Sequence, residues 1–263
     1  MARGGDGQGG GRFEGSAFLA QSAAFRRGAG YTDARGNLAA NNDTAAAQLA
    51  AGRPADAVGV LEPLLADCRT QYGPRHPETL VVEGNTAAAY VAADRLAEGI
   101  ELMVANLAAR ERWFGDEHPR TLTAREALAT AYRIAGRLAE ASRLAERVTA
   151  QRTSVLGPHH PDTLVSRLGL ALARADAGDL PAAEGTAMPA LHDAVEAHGP
   201  HHPVTTALRS CVGGLHAAAG RIDDAREALR YALADTERQL GSGHPDAVAL
   251  REDLHLLTPA PTP

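Results

Sequence analysis

Histidine is the side chain in this sequence best placed to do chemistry near neutral pH. There are 11. His159 and His160, and 42 residues further on His201 and His202 with His198 close by, could bring imidazoles together to hold zinc or nickel. No cysteine or carboxylate set completes a standard ligand spacing around them, and imidazoles at loop tips more often serve as solvated caps, so no metal is expected. His192, His216 and His255 are isolated. All 26 basic residues are arginine, which excludes a Schiff-base lysine and a P-loop lysine within this chain. No nucleophile elbow, dinucleotide fingerprint or HExxH occurs. Gly4 to Gly11 is glycine-rich, but no strand precedes it. The acidic neighbours Asp223–Asp224 and Glu252–Asp253 point to different sides of a helix and do not converge. The sequence therefore predicts no catalytic residue, no cofactor and no enzyme.

The histidines have a different regularity. His-Pro occurs at His76-Pro77, His118-Pro119, His160-Pro161, His202-Pro203 and His244-Pro245, each step being 42 residues. A glycine stands three residues before each: Gly73, Gly115, Gly157, Gly199 and Gly241. Eighteen residues after the first four histidines come Asp94, Gly136, Gly178 and Gly220. One unit upstream, Gly52 and Leu38 keep the register while Ala34-Arg35 replaces His-Pro. A fixed period of this kind signals stacked repeats.

Each unit reads as two antiparallel helices, A and B. Proline suits the first helical position, and the residue before proline is held extended, as an N-cap must be. The recurrent histidine is thus the predicted N-cap, with helix A at about 77–93 in the first full unit and helix B reaching about Phe114. Gly115 is expected to supply a left-handed C′ residue. Small residues recur where helices should touch: Ala87, Ala129, Ala171 and Gly213 on A, and Gly99, Ala141, Ala183 and Ala225 on B. Leu128, Leu170 and Val212 on A, with Leu102 and Leu144 on B, supply the larger core positions. The lone Trp113, beside Phe114 at the end of a B helix, could anchor a contact between copies; packing against the next repeat is the favoured expectation.

Composition agrees. Alanine is 56 of 263 residues, aromatics are 4%, and the hydrophobic fraction is 44%, which suits closely packed helices. The arginine-only, alanine-rich usage looks like high-GC coding, as in many bacterial genomes. A net charge of −6 argues against duplex nucleic acid as a partner. No apolar run is long enough for a membrane span, no signal-peptide core opens the chain, and Cys68 and Cys211 make no disulfide framework. The expected setting is cytoplasmic.

The unit Gly73-Pro74-Arg75-His76-Pro77-Glu78-Thr79-Leu80 and the later pattern Ala129, Tyr132, Gly136, Ala141 resemble the 42-residue tetratricopeptide repeat of the kinesin light chain type, over residues 31–258. The resemblance implies an all-α fold, a right-handed helical-repeat solenoid of tetratricopeptide-type helix hairpins. It also implies a non-catalytic scaffold or adaptor binding a protein or peptide segment in a concave groove lined by the A helices. Family members often carry paired Asn in helix A. Here Gly84-Asn85 and Asn42-Asp43 keep one each, and Glu126-Ala127, Leu168-Gly169 and Ser210-Cys211 keep none. The basic carboxylate clamp of some relatives is absent too. The implied groove residues are Val81, Asn85, Thr123, Glu126, Thr130, Arg133, Ile134, Val165, Leu168, Leu172 and Asp176. They make a small, mildly apolar surface suited to an apolar partner segment. The alternative is a small-ligand or metal-binding sensor, or an accessory enzyme, using the same concavity. A homodimer through exposed apolar faces is a further possibility.

The expected organisation is a Gly-rich tail (1–12), an N-terminal capping helix (13–30), a repeat array (31–257) and a Pro-rich tail (258–263). Units start near 34, 76, 118, 160 and 202, with a capping helix from 244 whose polar side is Arg251, Glu252 and Asp253. Phe13, Phe18 and Phe25 leave two readings for the N-terminal segment: a cap over the first helix pair, or an aromatic plug that occupies the groove.

Overall fold

A computed structural model describes residues 34–257; the expected tails (1–12 and 258–263) and the capping segment 13–30 lie outside them. The described residues form eleven helices and no strand. In chain order these are α1 (Ala34–Ala50), α2 (Pro54–Gln71), α3 (Pro77–Ala92), α4 (Leu96–Phe114), α5 (Pro119–Ile134), α6 (Leu138–Leu156), α7 (Pro161–Asp176), α8 (Leu180–His198), α9 (Pro203–Ala218), α10 (Ile222–Leu240) and α11 (Pro245–Leu256). Odd-numbered helices are the A helices of the sequence pattern and even-numbered ones the B helices. The chain divides into two compact units, 34–169 and 170–257 among the described residues, with the division inside α7.

In the first unit each helix from α1 to α6 packs on the next, and α1 lies against α3 and α3 against α5. In the second, α8, α9, α10 and α11 pack in succession. Each unit is therefore a stack of helix hairpins, the packing that repeats too small to bury their own faces require.

The punctuation residues explain the turns. Each of the five histidines accepts a backbone N–H two residues on through Nδ1: His76 from Glu78, His118 from Arg120, His160 from Asp162, His202 from Val204 and His244 from Asp246, at 3.1–3.2 Å. This satisfies one of the donors a helix N-terminus leaves open. The motif threonine works beside it: Thr79 donates to the Gly73 carbonyl at 2.8 Å and Thr205 to that of Gly199 at 2.9 Å. Gly115 has φ 93° and ψ 165°. That is an extended positive-φ conformation rather than the left-handed helical one the sequence suggested, and it too belongs to glycine. At the inner turn of the first full hairpin Asp94 takes φ 63° where the later hairpins have glycine.

The small positions are where the helices come closest. Ala87, Ala141, Ala171, Ala183 and Ala225 are wholly buried. A Cβ added at Gly99 would meet Val91 Cγ2 at 2.7 Å and the Ala87 carbonyl at 3.0 Å, and one at Gly213 would meet Leu229 Cγ at 2.7 Å. Trp113 does not pack as expected: it is 55% exposed. One repeat later Val155 holds the same place and is also largely exposed, so this register position lies past the stacked part of the B helix.

Candidate functional site

The A helices of the first unit stand side by side, and a hydrogen bond joins two of them directly: Asn85 Nδ2 of α3 donates to Asn42 Oδ1 of α1 at 2.9 Å. The two asparagines that survive from the paired pattern are thus bonded to each other across adjacent A helices. Val81 and Ala88 of α3 and Thr123, Ala127 and Ile134 of α5 are half-buried, as is Val165 at the start of α7. None of these carries a charge. Ala88, Ala127 and Ile134 pack against the core that α3, α4 and α5 share.

Other residues expected on the A-helix face are turned inward. Glu126 is 4% exposed. Its Oε2 accepts from Arg152 Nη1 at 2.7 Å and its Oε1 from the Ser166 hydroxyl at 2.8 Å, which ties α5 to α6 and α7. Burial raises the Glu126 carboxyl above its ordinary value, against the pull of Arg152 and Ser166. Thr130, Arg133 and Leu168 are buried as well. Leu172, half-buried, and Asp176, exposed, belong to the second unit. Glu126 and Gly84 share one repeat position, so the helical period alone could not separate a groove carboxylate from a core one.

A second polar centre lies under α3. Glu83 accepts from Arg69 Nη2 of α2 at 2.7 Å and from Asn106 Nδ2 of α4 at 3.0 Å. Arg110, 1% exposed, donates to Asn106 Oδ1 and to the carbonyls of Leu80 and Arg120 at 2.7–3.1 Å. Burial pushes its guanidinium down to about 10, with the Arg120 charge adding to the effect. Arg110 and Arg152 are 42 residues apart, and both donate to the second residue of the following A helix, at Arg120 and Asp162. Arg110 and Arg152 thus serve the joints between repeats.

An unexpected regularity appears at the seventh residue of the A helix. Arg125, Arg209 and Arg251 each donate to the carbonyl nine residues earlier, at Asp116, Pro200 and Ser242, with lengths of 3.0–3.2 Å. These arginines brace the turn after each glycine. The signal was the 42-residue recurrence of arginine at 125, 167, 209 and 251.

The histidines enter no convergent site. His198 packs its ring on His202, and His201 Nδ1 lies 2.9 Å from buried Asp235, which also binds Arg209 and Arg238. Among the described residues no group of three or more His, Cys, Asp or Glu side chains could hold a metal ion. No described helix is long and apolar enough to cross a membrane.

Two tetratricopeptide-repeat family models match the chain, at residues 83–154 and 205–246. Two crystal structures of a kinesin light chain-like protein with nearly identical TPR-like repeats, from Podosopora anserina, are similar to it. One is 25% identical with a TM-score of 0.64, covering 80% of this chain and 99% of that one. The other is 26% identical with a TM-score of 0.62, covering 77% and 96%. A thermophilic TPR protein of Thermus thermophilus shares the fold at 19% identity and a TM-score of 0.57, covering 82% of this chain and 95% of its own. No curated protein matches the chain.

Proposed function

Because the chain is built of tetratricopeptide repeats of the kinesin light chain type, we propose that it is a non-catalytic scaffold holding a protein or peptide segment on its A-helix face. Such repeats are in general protein-interaction modules. The observation that supports the reading here is the neutral strip formed by Val81, Asn85, Ala88, Thr123 and Ala127, with the nearby charges of Glu83, Glu126, Arg110 and Arg152 bonded internally. An apolar strip between parallel A helices favours the apolar side of a helix or an extended segment, whose side chains need no charged partner. A highly charged segment would lose solvation without gaining an ion pair.

The test compares wild type with Val81→Arg plus Thr123→Arg, both half-exposed A-helix positions, and with Glu101→Arg on the exposed side of α4 as control. Each is used to capture polypeptides from the source organism. The proposal expects the A-face pair to lose specific partners that the control keeps. Equal recovery by all three would remove it. Native mass spectrometry of the purified chain decides the other way: a bound small molecule or metal would favour a sensor in place of a scaffold.

A further inference from the structure

The outward side of α8 lacks the charges that the other B helices carry. Pro181, Gly185, Met188, Pro189, His192 and Val195 are all exposed and run along one stripe of the helix, at spacings of three and four. Gly185 stands where α4, α6 and α10 have Glu101, Arg143 and Glu227, and Met188 where α2, α6 and α10 have Glu62, Glu146 and Arg230. Val195 takes the place of Arg69, Glu111 and Glu237. His192 replaces the alanine found in all the other B helices, at Ala66, Ala108, Ala150 and Ala234. Glu184 and Asp193, the acidic residues within this span, are half-buried, and Glu184 is bound to Arg221.

No packing contact inside the chain requires Gly185. A Cβ added there would meet no atom within 4 Å, and glycine inside a helix is less stable than alanine. Pro189, four residues on, has no N–H, so the Gly185 carbonyl is without its i+4 helical donor. α2 has the same pair in Gly59 and Pro63 but keeps Glu62 and Arg69 beside it.

The stripe is complementary to itself. A two-fold axis between Met188 and Pro189 sets two α8 helices antiparallel and brings His192 of each copy over Gly185 of the other. The imidazole then fills the place of the missing side chain and offers an N–H to the Gly185 carbonyl. Met188 lies on Pro189 of the other copy, and Pro181 near Val195. A charged partner would lose solvation against this surface without an ion pair in return. A second copy presents no carboxylate or guanidinium along it. The stripe is about 21 Å long and one helix, about 10 Å, wide. That footprint is well under the roughly 800 Å² per partner of a standard interface, so the contact is reversible and needs concentrated protein.

We propose that α8 is the contact of a weak two-fold homodimer, with Gly185 and His192 interlocked across the axis. The anchor is α8 and not Trp113, which shares the exposed side of α4 with Glu98, Glu101 and Arg112. This inference does not depend on the binding role proposed above.

Light scattering and sedimentation of the full chain over roughly a hundredfold range of concentration test it, with Gly185→Glu as the variant. That substitution brings in the residue type of Glu101 and Glu227 at a position with open space, so the fold tolerates it. The wild-type mass should rise toward twice the monomer, while the variant stays monomeric with its unfolding temperature unchanged or higher. Met188→Cys should give a covalent dimer with a short bismaleimide, Cys68 and Cys211 being buried. Val104→Cys, in the same register on α4, should not. A wild type that stays monomeric throughout would overturn the proposal, as would a dimer that Gly185→Glu leaves intact or that crosslinks equally through Val104→Cys. Should Gly185→Glu fail to fold, the wild-type mass and the two cysteine variants decide alone.

Discussion

Glu83 and Arg125 hold the same place in successive repeats, and their ion pairs run in opposite senses. Glu83 is bound by Arg69 from the preceding B helix at 2.7 Å; Arg125 binds Glu111, the counterpart of Arg69, at 2.7 Å. Arg251 and Glu237 repeat the second arrangement at 2.5 Å. These three joints hold a charge pair at these positions in either polarity, while Thr153 and Val195 stand where the other two would need a charge.

Reversing one polarity should therefore cost more than reversing both. Glu83→Arg places a cation beside Arg69 and Arg110 and should lose about 2 kcal/mol of stability. Adding Arg69→Glu should recover at least half of that. Thermal unfolding of the two variants checks it, and a double variant no better than the single one would show that the Asn106 bond to Glu83 dominates the joint.

The histidine caps make a pH prediction. Each Nδ1 must be unprotonated to accept its backbone N–H. His118 lies below its ordinary value of 6.5, through burial first and the charges of Arg120 and Arg110 second. A lowered folded value means that the unfolded chain binds more protons as pH falls, so this contribution is present above 6.5 and lost on acidification through the folded value. His118→Asn keeps a capping acceptor that does not titrate. Its unfolding temperature should fall less than that of wild type between about pH 7.5 and 5.5. His118→Ala should cost about 1 kcal/mol at neutral pH.

Glu126 should behave in the opposite sense. Its folded value is raised from 4.5 by burial, so between the ordinary and the folded value the native state binds more protons than the unfolded chain. Stability from this group is full below the ordinary value and declines as pH rises through the folded one. Subtracting the pH profile of Glu126→Gln from that of wild type should leave this falling component. Arg152→Met, which strands the carboxylate, should cost about 3 kcal/mol at neutral pH, and Glu126→Leu with Arg152→Met should restore most of it. A double variant as unstable as the single would contradict an ion pair dispensable to packing.

Two turn and contact positions give a contrast of sign. Asp94→Gly relieves a positive φ that the later hairpins assign to glycine, and should stabilise by about 1 kcal/mol. Gly99→Ala drives a methyl into Val91 and the Ala87 carbonyl and should destabilise by about 1–3 kcal/mol. Urea unfolding of the pair measures both.

Much of the fold was legible because its signals are local. His76-Pro77 and its four copies predict extended caps followed by helices, and all five cap as expected, with α3 running Pro77–Ala92. The small stripe of Ala87 and Gly99 was legible for the same reason. Glu126 was not: a carboxylate one turn from Thr123 looks solvent-facing unless Arg152 and Ser166, 26 and 40 residues away, are known to reach it. Trp113 failed differently. Its place beside the turn suggested packing against the next repeat, yet Val155, Ala197 and Gln239 in the same register place no apolar demand on the site. The bracing role of Arg125, Arg209 and Arg251 was present as a period but concealed by an arginine-only composition.

Photocrosslinking decides the central claim most directly. A photoreactive phenylalanine analogue is introduced singly at Val81, Thr123 or Val165 on the A helices, and at Val104 or Trp113 on the exposed side of the B helices, and each protein is irradiated in extract of the source organism. Polypeptide adducts at the A-helix positions, competed by unlabelled wild type, are the predicted result. Adducts confined to Val104 and Trp113 would contradict it and move the binding surface to the other side of the array.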